Sequence, residues 1–231
     1  MANKTGFNYQ NAYPNGADME GFVKDSLAQA PRYLSAFYQT LTSPKSIADN
    51  KAKITATIFN EALLFLAISV LITVLIRLPL IGRDKTSVIV LASYVVWAVC
   101  VLLSMTSVVK LAWRIVGGKM AFVRYLALNC YYFGVFMVVG HFISLASFSV
   151  GKAAKSVALS IVVAAIGFLA FSVWGISAWR VYQQLNSIGW LRSLGALSIT
   201  LIAVIPVAIL LLLVQRELLG VSVSPIFPIH P

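Results

Sequence analysis

The sequence predicts an all-α polytopic membrane protein: five transmembrane helices preceded by an N-terminal amphipathic interfacial segment. Three observations predict it. Long apolar runs recur, centred near residues 67, 98, 137, 166 and 204. Of the 231 residues, 60% are hydrophobic and 11% charged, where soluble domains average about half and a quarter. Nearly all Lys and Arg fall between the runs. A soluble fold has no way to hide so much apolar surface, because its outside must face water; a bilayer removes the need. At a rise of ~1.5 Å per residue, about 20 residues cross a ~30 Å hydrocarbon core, and every run is that long.

Residues 1–20 are rich in Asn, Gly and Tyr and contain Pro14, a composition that reads as a flexible tail. No apolar h-region is present, so this is not a cleavable signal peptide and the first span must serve as the insertion signal. Residues 21–54 form the amphipathic segment. Apolar positions recur at Val23, Leu27, Ala30, Leu34, Phe37 and Leu41, three and four apart, giving one apolar helical face. Pro31 splits this stretch or opens a second helix. Lys24, Arg32 and the tyrosines suit a helix lying along the membrane surface; a helix packed on the protein's own loops is the alternative. Ser43-Pro44 reads as a helix start, since Ser caps and Pro at the first helical position lacks only an N–H that would be unbonded.

The spanning domain covers residues 55–215, with a short C-terminal tail over 216–231. Its spans are read at Thr55–Leu78, Thr86–Val109, Phe122–Val150, Ser156–Trp179 and Leu194–Val214. The third is long enough to tilt or to leave a turn outside the hydrocarbon. Pro206 is placed to kink the fifth, its freed carbonyl satisfied by a neighbouring helix. Trp113, Trp179, Trp190 and Tyr182 sit near span ends, as an aromatic belt requires.

The net charge of +11 comes from 18 Lys and Arg against 7 Asp and Glu. No basic stretch is interleaved with exposed aromatics, so nucleic acid is excluded as a partner. The cations set orientation instead. Lys45, Lys51, Lys53, Lys110, Arg114, Lys119, Arg124, Arg180 and Arg192 fall on one side, nine in all; Arg77, Arg83, Lys85, Lys152, Lys155 and Arg216 make six on the other. The positive-inside rule then places the N-terminus in the cytoplasm and the C-terminus outside. Cys100 and Cys130 lie within apolar runs and read as small core residues.

The second inner loop runs Trp113-Arg114-Ile115-Val116-Gly117-Gly118-Lys119-Met120-Ala121-Phe122 and leads directly into Tyr125 and the third span. An apolar helix, a Gly-Gly-Lys turn, then a small residue and Phe opening the next helix resembles the Yip family of multi-pass membrane proteins. The Thr42-Ser43-Pro44 helix start and the Trp174–Tyr182 helix end before a short loop resemble it too, over roughly residues 33–215. The chain lacks the proline that members carry in the third span, where it reads Leu128-Asn129-Cys130-Tyr131-Tyr132-Phe133, so no mechanism needing a kinked third helix is carried over. The resemblance implies a five-span fold with its N-terminus inside. Eukaryotic relatives act in vesicle traffic and contact Rab-type GTPases; the short tail here looks more like bacterial relatives, which implies a bacterial inner membrane.

Each candidate site has two readings. Gly117-Gly118-Lys119 is no phosphate loop for ATP, because Trp113 stands where a Walker A needs its first Gly and Met120 where it needs a hydroxyl. It reads as a tight turn, or as a partner- or anionic-lipid-binding loop formed by Lys110, Arg114, Gly117, Gly118, Lys119 and Arg124. Glu61, Asn129 and His141 lie within spans, where polar groups are costly. They read as members of an ion or proton path, or as a headgroup-level carboxylate, interhelical glue and a hydrogen-bonded histidine. Ser156, Ser160, Ala164 and Gly167 form a small-residue face, for packing within the chain or for a homo-oligomer seam. No nucleophile–base–acid set, metal-ligand spacing or cofactor fingerprint is present, so the expectation is a non-enzymatic protein without cofactor. Membrane lipids, anionic ones above all, and other membrane proteins are its expected partners.

Overall fold

The computed structural model describes residues 31–50, 56–77 and 88–219. The tail over 1–20, the positions Val23, Leu27 and Ala30, the cations Lys51, Lys53, Arg83 and Lys85, and residues 220–231 lie outside them. Among the described residues there is no strand, and the helices are α1 (Pro31–Thr42), α2 (Pro44–Asn50), α3 (Ala56–Arg77), α4 (Val88–Ile115), α5 (Phe122–Ala154), α6 (Val157–Leu185) and α7 (Trp190–Leu219). The last five are long and apolar enough to cross a membrane. The chain is an all-α polytopic membrane protein.

Four helices outrun the apolar runs that announced them, among them α5, which runs to Ala154 where Val150 was expected. The second span was expected to end at Val109 and the fourth at Trp179, but α4 continues to Ile115 and α6 to Leu185. Charged residues end a hydrocarbon stretch without ending a hydrogen-bond ladder. α7 begins four residues before the expected Leu194 and runs on through Pro206 as one helix.

What does end these helices is a shared backbone device. After α4, the Gly118 N–H reaches Trp113 O at 2.7 Å and the Gly117 N–H reaches Arg114 O at 3.1 Å, with Gly117 at φ +99°. This is a Schellman closure, whose left-handed residue favours glycine. α5 and α6 close the same way on non-glycine residues, Lys155 at φ 49° and Ser187 at φ 52°. The Gly-Gly pair is therefore a helix stop.

Helix α5 is the hub. It packs most extensively on α3, then on α6 and α4, while α7 packs on α4 and consecutive α3 and α4 scarcely touch. Gly134 brings α3 close: a Cβ there would lie 2.7 Å from Ser69 Oγ and 2.8 Å from Phe65. The small-residue face of α6 is turned to α5 in the same chain. Ser147 Oγ donates to Ser160 O at 2.7 Å, Ala164 is buried, and Gly167 faces Ile143. Ser156 caps α6, its Oγ accepting from Leu159 N.

The described part of the N-terminal segment, α1 and α2, lies against the spans. α1 packs on α3 and α5, and α2 on α6. Its buried face is Tyr33, Thr40 and Ile47, with Phe37 half-buried beside them. Leu34, expected on the buried stripe, is 73% exposed together with Tyr38 at 67%. Ring contacts rotate the helix: Tyr33 stacks on Phe65 at 4.9 Å and its hydroxyl pairs with Ser69 Oγ at 3.0 Å. Because Ser69 donates its own proton to Phe65 O, Tyr33 is the donor in that pair. Burial raises the Tyr33 pKa above its usual value despite the opposing bond to Ser69, so the donor stays protonated. Side chains also reach back to the segment's backbone, Trp174 Nε1 to Thr40 O at 3.0 Å and Tyr132 Oη to Pro44 O at 3.2 Å.

A basic cleft at one end of the bundle

The turn over 116–121 and the connection over 186–189 lie at the same end of the bundle, bound together by one carboxamide. Asn186 Oδ1 accepts from Met120 N at 3.2 Å and from Tyr125 Oη at 3.0 Å, while its Nδ2 donates to Tyr182 O at 2.8 Å. Asn186 is buried, and both polar atoms of its side chain are used. Gly118 makes room for it, since a Cβ at that position would lie 2.7 Å from Asn186 Oδ1.

Above this latch opens a cleft of about 350 Å³. Its cations are Lys110 and Arg114, four residues apart and so on one face of α4, and Lys119 from the turn; Met120, Ala121 and Tyr125 supply floor and wall. No acidic residue among the described ones lines it. The Lys110 ammonium sits 5.1 Å over the Phe122 ring, a favourable cation–π placement. Ala121, the N-cap of α5, makes no side-chain hydrogen bond to the helix's first turn, so the positive end of a long helix opens on the cleft without a capping oxygen. Of the sequence candidates, Lys110, Arg114, Gly118 and Lys119 are brought together here. Gly117 shapes the turn, and Arg124 stands outside the cleft lining.

Beneath the cleft runs a polar ladder. Tyr182 Oη donates to Asn129 Oδ1, Asn129 Nδ2 donates to Thr106 Oγ1 at 2.9 Å, and Thr106 passes its proton to Leu102 O at 2.7 Å. Each group has one role left once its neighbour is fixed, so the ladder has a single direction across α6, α5 and α4. Aromatic rings surround it: Tyr125 stacks on Tyr182 at 5.6 Å, and Trp113 packs at a tilt on Trp179 at 4.9 Å. Trp113 is fully buried and Tyr182 nearly so, so these two belong to the core and not to the expected aromatic belt. Trp190, 55% exposed, keeps a belt-like position.

Asn129 and His141 are not brought together. Asn129 is engaged with Thr106 and Tyr182. His141 lies on the same helix about 18 Å further along, at ~1.5 Å per residue, with Nδ1 2.7 Å from Met137 O. Glu61 is half-buried on α3. Sequence reasoning missed Asn186, whose contact with Met120 spans 66 positions; an isolated Asn near a helix end carries no local sign of that reach. No family model, curated protein or solved structure matches this chain.

Proposed function

We propose that this chain is a non-enzymatic, Yip-like membrane organiser or adaptor. The basic end faces the cytoplasm and engages anionic lipid headgroups and membrane-associated proteins, in the service of membrane trafficking or assembly. One observation supports this most: Lys110, Arg114 and Lys119 line a single cleft that holds no acidic side chain among the described residues. Cations held at a bundle end attract an anionic leaflet at about 1 kcal/mol each. Arg124, outside the lining, and Arg192, whose guanidinium approaches Gly117, extend the basic surface around the cleft.

Crosslinking in native membranes, followed by identification of the captured proteins and lipids, tests the reading. Lys119→Glu with Arg124→Glu should strip association with anionic vesicles and deplete the crosslinked set. If both survive charge reversal, the proposed surface is wrong. For orientation, Ala2→Cys should be shielded from an external thiol reagent and Pro231→Cys labelled by it; the reverse pattern overturns the cytoplasmic placement.

A further inference from the structure

The cleft does more than present charge, and we propose that it is a binding site for a single phosphomonoester. The proposal rests on the function proposed above and names its ligand chemistry. A phosphomonoester carries about −1.5 to −2 charges at neutral pH and three strong acceptor oxygens. A phosphodiester or carboxylate carries about one charge, and a diester has two of its oxygens tied up in ester links. The cleft's donors match the first of these. Arg114 supplies a planar fork that fits two phosphate oxygens side by side, and Lys110 and Lys119 are point charges for the remainder.

The fourth wall is the start of α5. Ala121, its N-cap, lines the cleft and carries no side-chain cap, so the positive end of the helix dipole lies at the cleft's edge, where it favours an anion. Here it is joined by three side-chain cations in one cavity, so the site does not depend on the helix end alone. The neighbouring polar groups are already committed: Met120 N and Tyr125 Oη both donate to Asn186. They hold the wall in place and leave recognition to the cations. A volume of about 350 Å³ admits a phosphate with a small ester substituent. Lys110 and Arg114 stand four apart as like charges, an unfavourable pairing on a helix; a bound dianion reverses that sign. The shared chemistry has two sources, a lipid whose headgroup is a bare phosphate or a water-soluble phosphate ester.

The test uses the full chain in nanodiscs of zwitterionic lipid. One arm adds a minority of phosphatidic acid, a second adds phosphatidylglycerol at equal amount, and a third adds glycerol 3-phosphate or inorganic phosphate to the buffer. Saturable binding and the thermal unfolding midpoint are read in each. Preference for a phosphomonoester over the diester lipid by about tenfold or more is expected, together with a raised midpoint from ligand linkage. Lys110→Gln with Arg114→Gln should abolish it, and Lys152→Gln with Lys155→Gln, at the opposite end, should not. Ala121→Asp guards against misfolding: it adds the missing cap, so it should raise the unliganded midpoint while eliminating phosphate binding. Binding in the lipid arm alone assigns the headgroup source, and binding of the soluble ester alone assigns the other. Equal response to both anionic lipids, or loss of no affinity in Ala121→Asp, overturns the site. If charge reversal at Lys119 and Arg124 still strips vesicle association in that case, the adaptor reading stands and only the phosphate site falls.

Discussion

Two tryptophan rings pack at a tilt at the basic end, and their N–H groups fare differently. Trp179 Nε1 donates to Ser193 Oγ at 3.0 Å, whereas the buried Nε1 of Trp113 has no acceptor among the described residues. Ser193→Ala removes the acceptor of Trp179 and keeps both rings, so it isolates the hydrogen bond: it should destabilise by about 1 kcal/mol through the stranded Trp179 N–H, read by denaturant titration in mixed micelles. Asn186→Ala should cost more, about 2 kcal/mol, because it leaves Met120 N and Tyr125 Oη without their acceptor. It should also loosen the 116–121 turn, seen as faster backbone hydrogen exchange there.

At the scale of elements, glycine has opposite meanings on one helix. Gly134 lets α3 and α5 touch, while a Cβ on Gly140 meets nothing within 4 Å. Gly134→Ala should therefore destabilise the bundle by about 1–3 kcal/mol through overpacking. Gly140→Ala should stabilise it by up to about 1 kcal/mol through helix propensity. Equal effects from the two, measured by the same unfolding assay, would contradict the α3–α5 seam. The apolar runs revealed these helices because hydrocarbon length is a local property. Their true ends were hidden, because Lys155 and Ser187 carry no glycine-like sign of the left-handed turn they adopt. Likewise, three-four periodicity found an amphipathic segment yet misjudged its face, since Tyr33 is drawn in by ring and hydroxyl contacts that a hydropathy pattern does not weigh.

For the whole molecule, count and class were legible in the sequence, and so were the cations of the cleft, because Lys110, Arg114 and Lys119 lie within one short stretch. The latch was not. Asn186, Tyr182 and Thr106 come together only through the packing of α4, α5 and α6, which no local spacing encodes. One expectation follows for α7, which rests on α4. A chain ended after Leu185 should still pair α3, α5 and α6, as judged by cysteine crosslinking between α3 and α5, while losing thermal stability through the bared face of α4.

The meagre contact between α3 and α4 has a consequence for biogenesis. These helices leave the ribosome one after the other, yet they do not form a hairpin with each other. The first waits for α5 and the second for α5 and α7, so both must persist as separate helices in lipid or against the insertion machinery while later spans are made. Assembly is thus gated by synthesis of the third span, and closed only by the last. A ribosome stalled after α4 should yield two helices that an insertase still holds; one stalled after α5 should release a paired core. The order of translation is not the order of packing.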